Sequence, residues 1–183
     1  VEDPHTLNRQ RLAAARALSG RFHVITGGPG MGKTWTVRNL IACLCLEHMD
    51  RHGPGGLPTI ALAAPTGKAA VRIRESLLKG LEDTFRPALE RCVCPEQADT
   101  ILAFVNELKA QTLHRLLGYQ RRTPTRFRHH AENPLPYDVI IVDVFSKKLT
   151  SKCGYHAFSS VLQTFPNKEV LKVPQDLSNR QKM

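Results

Sequence analysis

The sequence predicts an α/β domain: a parallel sheet with helices on both faces. Three observations carry this expectation. Nearly all-apolar runs of strand length recur at residues 22–26, 59–64 and 138–143. Such continuous runs mark strands buried on both faces, whereas a half-exposed strand alternates. Segments with helical spacing of apolar residues lie between these runs, and strands alternating with helices give parallel sheets. A glycine-rich turn joins the first strand directly to the first long helix.

The elements follow in order. Leu7, Leu12, Ala15 and Leu18 stand near helical spacing and Gly20 supplies a stop, so a short helix precedes the first strand. Residues 27–32 form the glycine-rich loop, and the helix beyond it starts at Lys33. Residues 52–58, rich in Gly and Pro, read as a loop before the second strand. The next helix is expected from near Lys68 to Leu78, residues 81–118 read as mostly helical with a break at Cys94–Pro95, and 119–136 read as a polar, basic connection. A strand ending in Asp143 follows.

A chain of 183 residues with 42% hydrophobic content suits one substantial core. Its formal net charge of +10 favours a polyanionic partner, because clustered Lys and Arg release counterions from nucleic-acid phosphates. A membrane is disfavoured, since no apolar run approaches the roughly 20 residues that span a bilayer and the first residues lack the apolar stretch of a signal peptide. A cytoplasmic protein is expected. Five cysteines, as two C-x-C pairs and a singleton, lack zinc-site spacing and are read as reduced structural thiols. Val1 in place of Met suggests that a preceding part is missing.

Gly27, Gly28, Pro29, Gly30, Met31, Gly32, Lys33 and Thr34 satisfy G-x-x-x-x-G-K-[ST] at every fixed position, between a strand and a helix. The glycines let successive N–H groups converge on one anion, and the helix adds the positive end of its dipole. A plain strand-to-helix turn is the bland alternative. The motif implies ATP, with Lys33 on the β- and γ-phosphates and the Thr34 hydroxyl on Mg2+. Asp143, at the end of an apolar strand, is the expected carboxylate for the Mg2+ shell, against the alternative of a solvated strand-end residue. Lys33 and Asp143 are thus the candidate catalytic pair. Hydrolysing motors commonly place Glu next, to orient and polarise the attacking water; here the residue is Val144. Because such chemistry contributes roughly 10²–10⁴-fold to rate, ATP binding with poor turnover is expected.

Other features read as structural. Adjacent His129 and His130 lack a third ligand at useful spacing and suit a basic loop with Arg121, Arg122, Arg126 and Arg128. Trp35, in the first turn after the glycine-rich loop, reads as a packing residue.

Five segments in order, residues 7–10 (LNRQ), 27–34, 62–70 (LAAPTGKAA), 112–118 (TLHRLLG) and 139–143, together resemble the RecD helicase family, a branch of superfamily 1 that includes the exodeoxyribonuclease V alpha subunit. The resemblance implies a RecA-like P-loop NTPase motor domain over residues 1–144. It also implies that Gln10 reads the adenine edge, and that Thr66, Lys68, Thr112 and His114 touch single-stranded DNA. By the same resemblance the function is that of an ATP-dependent 5′-to-3′ DNA helicase acting on DNA ends in double-strand-break repair and recombination, beside RecB and RecC subunits.

The match stops abruptly after Asp143. Residues 145–183 carry as much net positive charge as everything before them and show no clear period, so they are expected to be a divergent, poorly structured basic tail, of the kind a shift of reading frame would create. The fold is therefore expected to be incomplete, without the second motor domain that closes on ATP. Two rivals stand beside this reading: a non-catalytic nucleotide-binding fragment, favoured by Val144, and a non-motor P-loop enzyme such as a kinase, which needs an acceptor pocket and a lid.

Overall fold

A computed structural model describes residues 9–19, 22–25, 30–120, 127–145, 152–164 and 169–175. Helix α1 (Arg9–Leu18) leads to β1 (Phe22–Val24), and α2 (Lys33–His52) to β2 (Ile60–Ala64). After α3 (Gly67–Leu78), a single π-helical turn (Leu81–Phe85) runs into α4 (Arg86–Leu89) and then α5 (Pro95–Glu107). Strand β3 (Ala110–Thr112), α6 (Leu113–Leu116), β4 (Val139–Phe145), α7 (Lys152–Gln163) and β5 (Glu169–Gln175) complete the order.

The five strands form one sheet in the order β1-β5-β4-β2-β3, with every pairing parallel. The period of two sorts β2 and β4 between two cores. Ile60, Leu62, Val139 and Ile141 face one side, with Leu40 and Ile41 of α2, Leu77 of α3 and Ile101 of α5. Ala61, Ala63, Ile140 and Val142 face the other, with Leu113 and Leu116 of α6 and Phe158 and Val161 of α7. Helices thus cover both faces of an α/β P-loop fold, as the apolar runs require.

At the amino ends of the central strands, one carboxylate sets the register. Asp138 Oδ2 accepts from the Thr59 backbone N–H at 2.8 Å and from its hydroxyl at 2.6 Å, while the Asp138 N–H donates to the Thr59 carbonyl at 2.9 Å. Ile60 then stands opposite Val139.

The structure departs from the sequence reading in three places. Residues 81–118, expected to be mostly helical, contain β3 at the sheet edge. Three residues are too few to show a period. Strand β4 runs two residues past Asp143, to Phe145, because β5 pairs with it along all seven positions. The segment beyond 145, expected to be poorly structured, contributes α7 and β5, and β5 lies between β1 and β4. Ala157, Phe158 and Val161 bury one stripe of α7.

Trp35 packs edge-on against Phe85, ring centroids 5.6 Å apart, in its expected structural role. Cys43, Cys45, Cys92 and Cys94 are free thiols, and burial pushes the Cys45 thiol up to about 12. Among the described residues no helix is long and apolar enough to cross a membrane.

Candidate functional site

Parallel pairing brings the carboxyl ends of all strands to one edge of the sheet, and the candidate residues collect there. Gly30 and Gly32 adopt positive φ, 76° and 75°, in the left-handed region where a Cβ is strained. Gly27, Gly28 and Pro29 lie outside the described residues. Gly32 caps α2 and makes no side-chain hydrogen bond there, and the start of a helix is where backbone N–H groups and the helix dipole favour an anion. Met31 is exposed, and Lys33 and Thr34 are half-buried in that first turn.

Gln10 reaches this loop from α1. Its Nε2 donates to the Met31 carbonyl at 3.3 Å, and a Cβ on Gly32 would stand 2.3 Å from the same nitrogen. The left-handed backbone is what requires Gly32; the Gln10 amide is the end of a flexible side chain that can shift aside.

Asp143 shares the face of β4 that carries Val139 and Ile141, the side covered by α2. It is 5% exposed, and its Oδ1 is buried without a hydrogen-bond partner. Desolvation pushes its carboxyl up to about 6, and the nearby Lys33 ammonium pulls in the opposite direction. A buried carboxylate oxygen with no donor is costly for the protein alone. A hydrated divalent ion supplies what the fold does not, so the residues here fit Mg2+.

The four remaining candidates lie at the carboxyl ends of β2 and β3, where Ala64 pairs with Thr112, the last residue of β3, or just beyond them. Thr66 and Thr112 have the same local job: each hydroxyl accepts the backbone N–H three residues on, from Ala69 at 3.3 Å and Arg115 at 3.2 Å, and so caps α3 and α6. Each hydroxyl keeps its proton for another acceptor. Lys68 is exposed on the first turn of α3. His114 stands edge-on between Tyr119 and Phe127, both ring centroids at 5.9 Å. Arg121, Arg122 and Arg126 lie outside the described residues.

One important residue gave no sequence signal. Arg38, one turn beyond the loop on α2, is buried; its Nη2 donates to the Ser76 carbonyl at 2.7 Å and also to that of Lys79. Its guanidinium lies over the Phe85 ring, 5.9 Å from the centroid, and burial lowers its pKa. It ties the helix behind the loop to the end of α3. An arginine among surface arginines looks the same in a sequence.

A glycine loop, a long helix starting directly from it and a buried strand carboxylate near the lysine that opens that helix define a P-loop nucleotide-binding domain. The AAA domain family matches residues 10–170, and the chain belongs to that family. The match runs past Asp143, through α7 and into β5.

Within that class the chain's likeness is to RecD proteins. It is 47% identical over 134 residues to the RecBCD enzyme subunit RecD of Mycolicibacterium smegmatis, covering 73% of this chain and 22% of that protein. The same subunit of Mycobacterium tuberculosis is 44% identical over 140 residues, 76% of this chain and 21% of the relative. The ATP-dependent RecD2 DNA helicase of Deinococcus radiodurans is 34% identical over 144 residues, 76% and 14% respectively. The chain thus spans about a fifth of the length of its RecD relatives.

Proposed function

We propose that this chain is the nucleotide-binding motor domain of a RecD-type ATP-dependent DNA helicase, and that it binds ATP with Mg2+ and single-stranded DNA. The observation that carries this reading is Asp143, buried with an orphaned oxygen beside Lys33 at the mouth of a P-loop. In this reading the loop of residues 27–32 cradles the phosphates through its backbone N–H groups, Pro29 having none to give, Lys33 neutralises the β- and γ-phosphates, and the Gln10 amide meets the adenine edge. Thr34 and Asp143 hold the ion, which when bound offsets charge on the phosphate oxygens. Thr66, Lys68, Thr112 and His114 line the DNA track. The names of the relatives, a RecBCD enzyme subunit and an ATP-dependent DNA helicase, support DNA as the substrate and RecB- and RecC-type partners. Translocation 5′-to-3′ on DNA ends, a cytoplasmic place and a role in double-strand-break repair and recombination are part of this proposal and rest on the resemblance of the sequence segments alone.

Val144 follows Asp143 where hydrolysing motors commonly carry Glu, and a valine neither accepts a proton nor orients water. The chain therefore binds ATP and turns it over slowly, by a factor of roughly 10²–10⁴ relative to a motor with that base.

Titration of a fluorescent ATP analogue with and without single-stranded DNA tests the pairing of the two ligands. A motor domain shows coupling, with DNA changing nucleotide affinity by about fivefold or more. Nucleotide affinity indifferent to saturating DNA contradicts the motor reading and supports a P-loop enzyme of another kind.

A further inference from the structure

At the far end of α2 from the nucleotide loop, His48 and His52 stand four residues apart, which places them on one face of the helix with Cβ atoms about 5–6 Å apart. Their rings converge to a centroid separation of 4.3 Å at an interplanar angle of 37°. Two imidazoles at this helical spacing are the geometry by which helices chelate transition metals.

The surroundings hold the pair in place. The helix ends at Gly53, whose N–H donates to the Met49 carbonyl, and Gly56 closes a tight turn back onto Gly53 at 2.9 Å. That turn presses on the pair, because a Cβ on Gly56 would stand 2.7 Å from His52 Cβ and 3.3 Å from the His48 carbonyl oxygen. His48 Nδ1 is buried without a hydrogen-bond partner. His52 is exposed. The carbonyl end of a helix also favours positive charge.

We propose that His48 and His52 form a two-imidazole site for a divalent first-row transition ion such as Ni2+, Cu2+ or Zn2+. Among the described residues no group of three or more His, Cys, Asp or Glu forms a metal cluster, so water completes the coordination sphere. Such soft and borderline ions prefer imidazole nitrogen, whereas Mg2+ prefers the oxygens at Thr34 and Asp143. The two sites therefore select different metals at opposite ends of one helix. Metal at the pair links the last turn of α2 across two donors and stabilises the folded chain.

Calorimetric titration of the full chain with NiCl2, without nucleotide or Mg2+, tests this. The expected result is one Ni2+ per chain, with affinity reduced about 10²-fold in His52→Ala, because the second linked donor is lost. His48→Gln gives the same loss. Both variants keep wild-type affinity for ATP, which shows that the fold is intact, and a His129→Ala/His130→Ala double variant binds Ni2+ as the wild type does. Wild-type Ni2+ affinity in His52→Ala and His48→Gln, or no Ni2+ binding by the wild-type chain, overturns the proposal.

Discussion

Replacing Asp143 by Asn removes a buried charge while keeping shape, and the structure predicts that the ligand-free chain gains stability by doing so. Burial raises this carboxyl from 3.8 to about 6 even with Lys33 nearby. A displacement of that size corresponds to about 3 kcal/mol of native-state cost when the group is ionised. The sign follows from proton binding. Between the unfolded and folded pKa values the native state holds the proton that the unfolded chain has lost, so the carboxyl's contribution to stability falls as pH rises through this window. Above about pH 6 the cost is fully present; below the unfolded value it is absent. Urea unfolding of wild type and Asp143→Asn, without nucleotide or Mg2+, is the assay. Asp143→Asn should be the more stable by about 2–3 kcal/mol at pH 7.5, and the gap should close by pH 4. A variant less stable than wild type at pH 7.5, or a gap that ignores pH, would refute the reasoning. The same variant should bind Mg-ATP more weakly, which separates the demands of the site from those of the fold.

Other perturbations reach the same architecture from different sides. Gly32→Ala places a Cβ in left-handed backbone and displaces the Gln10 amide, so nucleotide affinity should fall at least about tenfold by equilibrium titration, with unchanged affinity refuting the need for this backbone conformation. Arg38→Met should lower unfolding stability by about 2 kcal/mol or more, through lost charge-assisted bonds to the Ser76 and Lys79 carbonyls; a neutral effect in urea melts would show that the tie is dispensable. Thr66→Ala should cost about 1 kcal/mol by loss of the α3 cap and also weaken single-stranded DNA binding, and loss of stability alone would restrict Thr66 to capping. Steady-state ATPase by the wild-type chain should be slow, and Val144→Glu should raise it; rapid turnover by wild type would show that another group orients the water.

The legible parts of the fold were those with strong local signals. The loop from Gly27 to Thr34 and the apolar runs of β2 and β4 state their geometry in their own residues, so the parallel sheet and the start of α2 at Lys33 follow from the sequence. Strand β3 was hidden because three residues at a sheet edge, Ala-Gln-Thr, show no pattern of their own and owe their conformation to pairing with Leu62, Ala63 and Ala64. Beyond Asp143, the α7 stripe of Ala157, Phe158 and Val161 lies among Lys, Cys and Gly, and β5 carries Lys172 and Pro174, so neither announces an element alone. Tertiary pairing overrides weak local preference there.

At the site, the residue types were visible but their second roles were not. Thr66 and Thr112 matched a DNA-contacting pattern, and the structure adds that both hydroxyls cap helices. Gln10 gains a contact to the loop backbone that no spacing encodes. Arg38 and the Thr59–Asp138 staple join residues 38 to 79 positions apart. Only the fold brings such pairs together.

The account rests on phosphate binding at the loop, and the most direct test is an equilibrium ATP titration of the wild-type chain with Mg2+, set against Lys33→Ala. The prediction is saturable binding that is abolished in Lys33→Ala and weakened when Mg2+ is withheld. ATP affinity unchanged by the loss of Lys33 would contradict the nucleotide site and the motor-domain reading built on it.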